Sequence, residues 1–456
     1  MRSRLQRIVW LAALWCVAVP LAAEEPLLVI ETSRSAQVLA DFENSLWRDF
    51  SASKANGYFR KSKLFLKFDE ASQVYQTLST TLFGFDSLKR MARLRAVLEL
   101  YNVRELLFVA ALEMEEKDFQ LTRFYLDRAR FKTFSSDGLS YFLRSDAEGK
   151  KFFCFYFKDR LLVLANAPRL IEATLGKLKK GEKIFPSQRE SLAEKDFDLF
   201  MRFHPTILQS PYFQSYWFNG EVLRLKQNVQ RADVYVRSGN DEVSEVRYLY
   251  FAQPPEKILA LGGESIPSGD VVQLTSIPGE VRMILNSYAG LTPGLPLPDK
   301  VLLVRSLTLD ERLLADNRHW LKLEFSASDL AEKWRAHLQE RLASSSKYLA
   351  PLFFSVRGKD LFVQSREQEE YHEKPLGADI VSYGFLRLER LIPNALREIK
   401  AFAAFQRLGE DEADVLKEFV DPLLRSLQRI RTVEKYTHAA GPYFKETVIY
   451  SLSPGR

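Results

Sequence analysis

The chain is 456 residues long, with 46% hydrophobic and 27% charged residues. That supplies enough apolar surface for a folded core and excludes a low-hydrophobicity disordered chain. The formal net charge is +6, three of it carried by Arg2, Arg4 and Arg7, so the remainder is close to neutral at +3. That balance argues against a nucleic-acid binder or a protein held to anionic membranes by bulk charge.

Residues 1–23 read as a secretory leader. Arg2, Arg4 and Arg7 give a basic start, Ile8 to Val19 an apolar run, and Pro20-Leu21-Ala22-Ala23 small residues before Glu24-Glu25. The apolar run is too short to span a ~30 Å hydrocarbon core, which takes about 20 residues. Cleavage near Ala23 is therefore expected, giving a periplasmic or secreted protein with no transmembrane segment. Cys16 follows the bulky Trp15, a poor fit to a lipidation site. Beyond the leader only Cys154 remains, so no internal disulfide forms. It lies in the strand-like run Phe152–Phe157 and reads as a buried, inert thiol.

After the leader, Leu27–Arg34 reads as a short strand. A helix-rich insertion is expected over about 35–103, where Ala92–Leu100 shows i, i+3, i+4 apolar spacing. A strand Leu107–Leu112 comes next. The runs Phe152–Phe157 and Leu161–Ala165, joined by Lys158-Asp159-Arg160, read as a β-hairpin. Then come a helix Pro168–Leu178, an alternating strand Lys195–His204, a helical stretch, and two strands, Ala232–Arg237 and Glu245–Ala252. The Gly/Pro/Ser segment Gly262–Gly269 reads as a linker.

The second part opens on Val271–Pro278, similar to Leu27–Arg34. A Pro-rich connector Leu291–Asp299, strands Val301–Thr308 and His319–Phe325, and a helix Leu330–Leu342 capped by Ser326 or Ser328 follow. A second hairpin, Leu352–Arg357 and Leu361–Ser365 around Gly358-Lys359-Asp360, repeats the first. A strand Ala378–Phe385, helices Leu391–Leu408 and Asp411–Ile430 broken at Gly409, and strands Arg431–Thr437 and Phe444–Leu452 complete the chain. The shared order of hairpin, strand, helix and two strands points to a degenerate duplication. The expectation is an α+β protein of two related halves, 24–262 and 263–456, each a mainly antiparallel sheet with helices packed on one face.

Asn44–Phe50, Gly84-Phe85-Asp86, the strand Leu107–Leu112, and the hairpin Phe152–Asn166 with its helix carry a resemblance across most of the chain. The layout resembles a family of secreted bacterial proteins grouped only as a domain of unknown function (the DUF3352 type). The resemblance implies secretion and brings no activity or functional residues with it.

No catalytic constellation stands out. His204, His319, His337, His372 and His438 are scattered without ligand spacing, so no metal site and no cofactor is expected. Ser-x-x-Lys occurs at Ser51–Lys54 and Ser344–Lys347, without the companion motifs of penicillin-binding enzymes. The acidic run Glu410–Asp414 suits a helix N-terminus. The best binding candidate is Pro211–Phe218, where Tyr212, Phe213, Tyr216, Trp217 and Phe218 supply area with polar tips. The simpler reading is that Phe213 and Trp217, at i and i+4, pack a helix onto the sheet. The leading expectation is an exported, non-enzymatic binding or scaffold protein, with an envelope protein or a lipid as partner and no nucleic acid. Two alternatives are a lipid-handling protein with an aromatic-lined cavity and an envelope serine hydrolase or acyltransferase using Ser51 or Ser344.

Overall fold

The computed structural model describes residues 25–34, 95–102, 107–115, 131–136, 138–208, 229–239, 241–253, 258–267, 269–289, 294–309, 315–343, 352–365, 373–405 and 427–453, with single positions 105, 117 and 424. Alternating apolar residues produce most of its strands, as the period of two requires. The first part contains β1 (Leu28–Thr32), β2 (Ala96–Asn102), β3 (Leu107–Glu113), β4 (Lys132–Ser136), β5 (Leu139–Ser145), β6 (Phe152–Lys158) and β7 (Leu161–Ala165). Helix α1 (Pro168–Lys179) follows, then α2 (Pro186–Arg189), β8 (Leu199–Phe203), α3 (Pro205–Leu208), β9 (Val229–Ser238) and β10 (Glu242–Phe251).

The second part runs β11 (Ser265–Pro267), β12 (Val271–Thr275), α4 (Pro278–Ala289), β13 (Lys300–Leu309), β14 (Ala315–Glu324) and α5 (Ser328–Ala343). It continues through β15 (Phe353–Arg357), β16 (Asp360–Gln364), β17 (Glu373–Pro375), β18 (Ile380–Leu386), α6 (Leu388–Phe405), β19 (Ile430–Ala440) and β20 (Tyr443–Leu452).

Among the described residues eighteen strands form one sheet, and β11 pairs with β17 in a separate ribbon. Every described pairing is antiparallel. In the first part the neighbours run β4-β5-β6-β7-β3-β2-β1-β8-β9-β10. In the second they run β15-β16-β14-β13-β12-β18-β19-β20. A ladder from Glu242↔Ser451 to Tyr250↔Tyr443 joins β10 to β20, so the two runs meet edge to edge in one sheet.

Both expected hairpins form, with two-residue turns of different chemistry. Asp159 and Arg160 both take positive φ, 49° and 67°. Two left-handed residues match the twist of the strands they join. In the second hairpin Gly358 takes φ 60° at the first turn position, where glycine needs no strain relief.

Reading cross-strand pairs outward from the β10–β20 ladder assigns each residue to one face. On the first face, α4 and α5 cover the second part, burying Val281, Leu285, Trp334 and Leu338 against Val301, Leu303, Leu321 and Leu361. On the opposite face α1 covers the first part, burying Leu170, Ile171 and Leu175 against Val97, Ala111, Val163 and Cys154. The apolar stripes of these helices sit at helical spacing, which is why they dock as helices.

Three expectations change. Ala92–Leu100 carries apolar residues at helical spacing, but Ala96–Asn102 is strand β2. It lies between β1 and β3, and its inward row includes Val97 and Glu99, so a charged residue inside hides the alternation. Ile430, assigned to a helix end, opens β19; residues 411–423 lie outside the described residues. The linker Gly262–Gly269 is partly packed. Leu261 is buried, β11 pairs with β17, and a Cβ on Gly262 would stand 2.8 Å from the Ala378 backbone.

Candidate functional site

The β10–β20 junction carries a charged network on one face and an aromatic cluster on the other. On the first face a polar and charged belt crosses five strands and one helix. Arg247 on β10 bonds Glu245 through both Nε and Nη2 at 2.7 Å. It also lies 3.7 Å from Glu446 on β20. Lys435 on β19 approaches Glu446 at 3.0 Å and Glu280 of α4 at 3.3 Å. Glu280 Oε2 accepts from Thr275 Oγ1 at 2.8 Å and Ser382 Oγ at 2.6 Å, and the Tyr450 hydroxyl donates to Glu245 at 3.2 Å. Burial works against the positive charges of Lys435 and Arg247. Their carboxylate partners outweigh it, and both pKa values move up. An amine held protonated this way is neither nucleophile nor base. The belt cross-links strands; it does not poise a group for reaction.

On the opposite face three tyrosines meet across the same ladder. Tyr250 on β10 and Tyr443 on β20 are directly paired, with ring centroids 5.5 Å apart. Tyr248 lies 5.4 Å from Tyr443 and 6.5 Å from Tyr250. Tyr250 and Tyr443 are partly exposed, Tyr248 buried. The Arg231 guanidinium sits 4.1 Å from the Tyr250 centroid, and Lys445 5.4 Å from that of Tyr248. Such rings offer flat faces that accept stacking and a cation rim. Beneath them Asp233, 2% exposed, takes a two-pronged bond from Arg202 at 2.8 and 2.9 Å, and Arg202 also reaches Glu190 at 2.7 Å. Glu194 accepts from Tyr248 at 2.6 Å and Lys445 at 3.1 Å. Burial pushes the Glu194 carboxyl up, but these two donors outweigh it and its pKa falls. Further along this face His438 Nδ1 lies 3.0 Å from Asp379.

Tyr212, Phe213, Tyr216, Trp217 and Phe218 lie outside the described residues, as do Ser51, Lys54, Ser344 and Lys347. Cys154 is fully buried, and burial pushes its thiol up to about 12, in keeping with an inert side chain. His204 stands 3.8 Å from Glu25, and His337 packs edge-on to Trp334 at 5.7 Å. Among the described residues no group of three His, Cys, Asp or Glu could hold a metal ion, and no helix is long and apolar enough to cross a membrane. Sequence reasoning missed the junction. The available signal was charge inside alternating strands, Glu245 and Arg247 in one, Lys435 and Glu446 in the two strands near the end of the chain.

No protein-family model matches the chain, and no curated protein matches it in sequence. Among solved structures, crystal forms IV and III of TP0453 align at 8% identity with a TM-score of 0.28. The alignments cover 62% and 61% of this chain, and 92% and 88% of those. So slight a likeness carries no argument about fold or role.

Proposed function

We propose that the chain is an exported, non-enzymatic binding protein whose ligand docks on the tyrosine cluster at the β10–β20 junction. The observation behind this reading is the partly exposed pair Tyr250–Tyr443, with Arg231 and Lys445 beside the cluster. Flat rings joined to cations suit a ligand with a planar or ring-shaped part and a polar edge. The protonated Lys435 and the inert Cys154 favour binding over covalent chemistry. Export rests on the leader sequence, as does placement in the periplasm or outside the cell.

The same proposal includes a duplicated origin. Its support is the strand order: β6-β7-β3-β2-β1-β8-β9-β10 and β15-β16-β14-β13-β12-β18-β19-β20 follow one connectivity. Thr32-Ser33 and Thr275-Ser276 add a local match. Each threonine Oγ1 accepts from the backbone N–H two residues on, at 3.1 Å. Each serine donates to a backbone carbonyl, of Phe197 and of Val381. On this reading the ligand surface lies where the two related halves meet.

Native mass spectrometry of the purified protein beside a denatured control tests the binding role. A mass excess lost on denaturation, and lost in Tyr250→Ala and Tyr443→Ala variants that keep the wild-type circular dichroism, is expected. A bare mass in the wild-type protein would overturn the reading. Loss only on substituting Tyr216 or Trp217 would move the site to the Tyr212–Phe218 segment.

A further inference from the structure

The sheet has two terminal strands among the described residues, β4 and β15, and they are not equivalent. In the shared strand order β15 takes the place of β6. The outer edge of β6 is occupied: β5 pairs with it antiparallel, from Phe142↔Phe155 to Ser145↔Phe152. The outer edge of β15 carries no described strand; among the described residues β15 pairs with β16 alone. This comparison rests on strand order and holds whatever the ancestry of the two parts.

The backbone of β15 is set up for pairing. With a two-residue turn at Gly358-Lys359, Arg357 and Asp360 form the closing hydrogen-bonded pair. Alternation then makes Ser355↔Phe362 hydrogen-bonded and turns the N–H and C=O of Phe354 and Val356 outward. Phe155, which occupies the position of Phe354 in the first part, makes its outward pairing with Phe142. Within Phe353-Phe-Ser-Val-Arg357 the sequence guards of an edge are missing. The strand has no proline, no bulge and no charge before Arg357. Phe353 is 40% exposed, one of the five most exposed large apolar side chains described.

The strand is also complementary to itself. Antiparallel pairing of two copies about Ser355 sets Phe354 against Val356 in hydrogen-bonded pairs. It sets Phe353 against Arg357, whose guanidinium already lies 5.5 Å from the Phe362 centroid in its own sheet. No like charges meet. The molecule makes the same kind of joint internally, where β10 and β20 pair edge to edge.

We propose that β15 is a self-association edge: two copies of this chain pair β15 to β15 about a two-fold axis, continuing the sheet from one molecule into the next. Five residues a side make a joint well below the ~1,200–2,000 Å² of standard stable interfaces. The dimer is therefore weak, in the micromolar range or above, on the order of 10–100 µM.

Analytical ultracentrifugation of the intact purified protein tests this, from about 1 µM to about 300 µM, the span set by that affinity. A concentration-dependent shift from monomer to dimer is expected. Val356→Pro removes an outward N–H that the β15–β16 pairing does not use, so that ladder is kept, at the cost of the Val356 packing against the core, and the dimer weakens by about tenfold or more. Phe353→Lys, at an exposed site, sets a lysine against Arg357 of the other copy and weakens the dimer without touching the backbone. It decides the matter if the proline variant fails to fold. A wild-type protein that stays monomeric throughout, or a dimer indifferent to the substitution, overturns the proposal.

Discussion

Lys435 shows how the belt works at the level of one side chain. Its ammonium is shared between Glu280 and Glu446, and Glu446 is only 7% exposed. Lys435→Met leaves that carboxylate with the more distant Arg247 as its remaining described cation, 3.7 Å away. A loss of about 2–3 kcal/mol in urea unfolding is expected, below the ~3–5 kcal/mol of a fully buried pair because the Lys435 side chain is 30% exposed. The pH dependence has a definite sign. The folded amine titrates above its ordinary value, so its contribution is complete below about pH 10.4 and disappears as pH rises through the folded pKa. The gap between wild type and Lys435→Met should stay constant from about pH 6 to 9 and narrow only in stronger alkali. Narrowing inside that neutral window would contradict the assignment.

Helix α5 illustrates stability set by one element. Ala331, Trp334, Leu338 and Leu342 form its buried stripe, and the Trp334 indole donates to the Pro296 carbonyl at 2.7 Å. Trp334→Ala should lower unfolding free energy by about 3–5 kcal/mol, from the cavity and the orphaned carbonyl together. Lys333→Ala on the exposed face, which breaks only the pair with Asp329, should change it by less than about 0.5 kcal/mol. Chemical denaturation of both variants checks the contrast. The elements readable from sequence were those whose pattern is local. The hairpins at β6–β7 and β15–β16, helix α1 and strands β13, β19 and β20 all follow from alternation, turn residues or a helical stripe. Strand β2 misled because Glu99 points inward with Val97 and bonds the Tyr101 hydroxyl at 2.6 Å. The charged belt was not legible, since Glu280 and Lys435 meet across 155 positions and only the fold supplies that proximity.

For the whole molecule the β10–β20 ladder is the decisive feature. It is reinforced on the belt face, where Leu249 and Phe444 pack in one apolar cluster with Val229, Ile277 and Val381. Val246 and Thr447 are direct partners across it. Antiparallel partners place their Cα atoms about 4.5–5.5 Å apart, within reach of a disulfide. A Val246→Cys, Thr447→Cys variant, with Cys16 and Cys154 changed to Ser, should oxidise to an intramolecular cross-link visible by peptide mapping. Free thiols after oxidation of the folded protein would rule out this junction.

The junction also sets a timetable for synthesis. Strand β10 leaves the ribosome nearly two hundred residues ahead of β20. At ~5–20 residues per second its outer edge stays bare for roughly 10–40 s. Glu245 and Arg247 sit on that strand and neutralise each other within it, so the waiting edge carries its own charged guard. When β20 arrives, Glu446 and Tyr450 join the same pair, and the residues that kept strangers away become part of the lock.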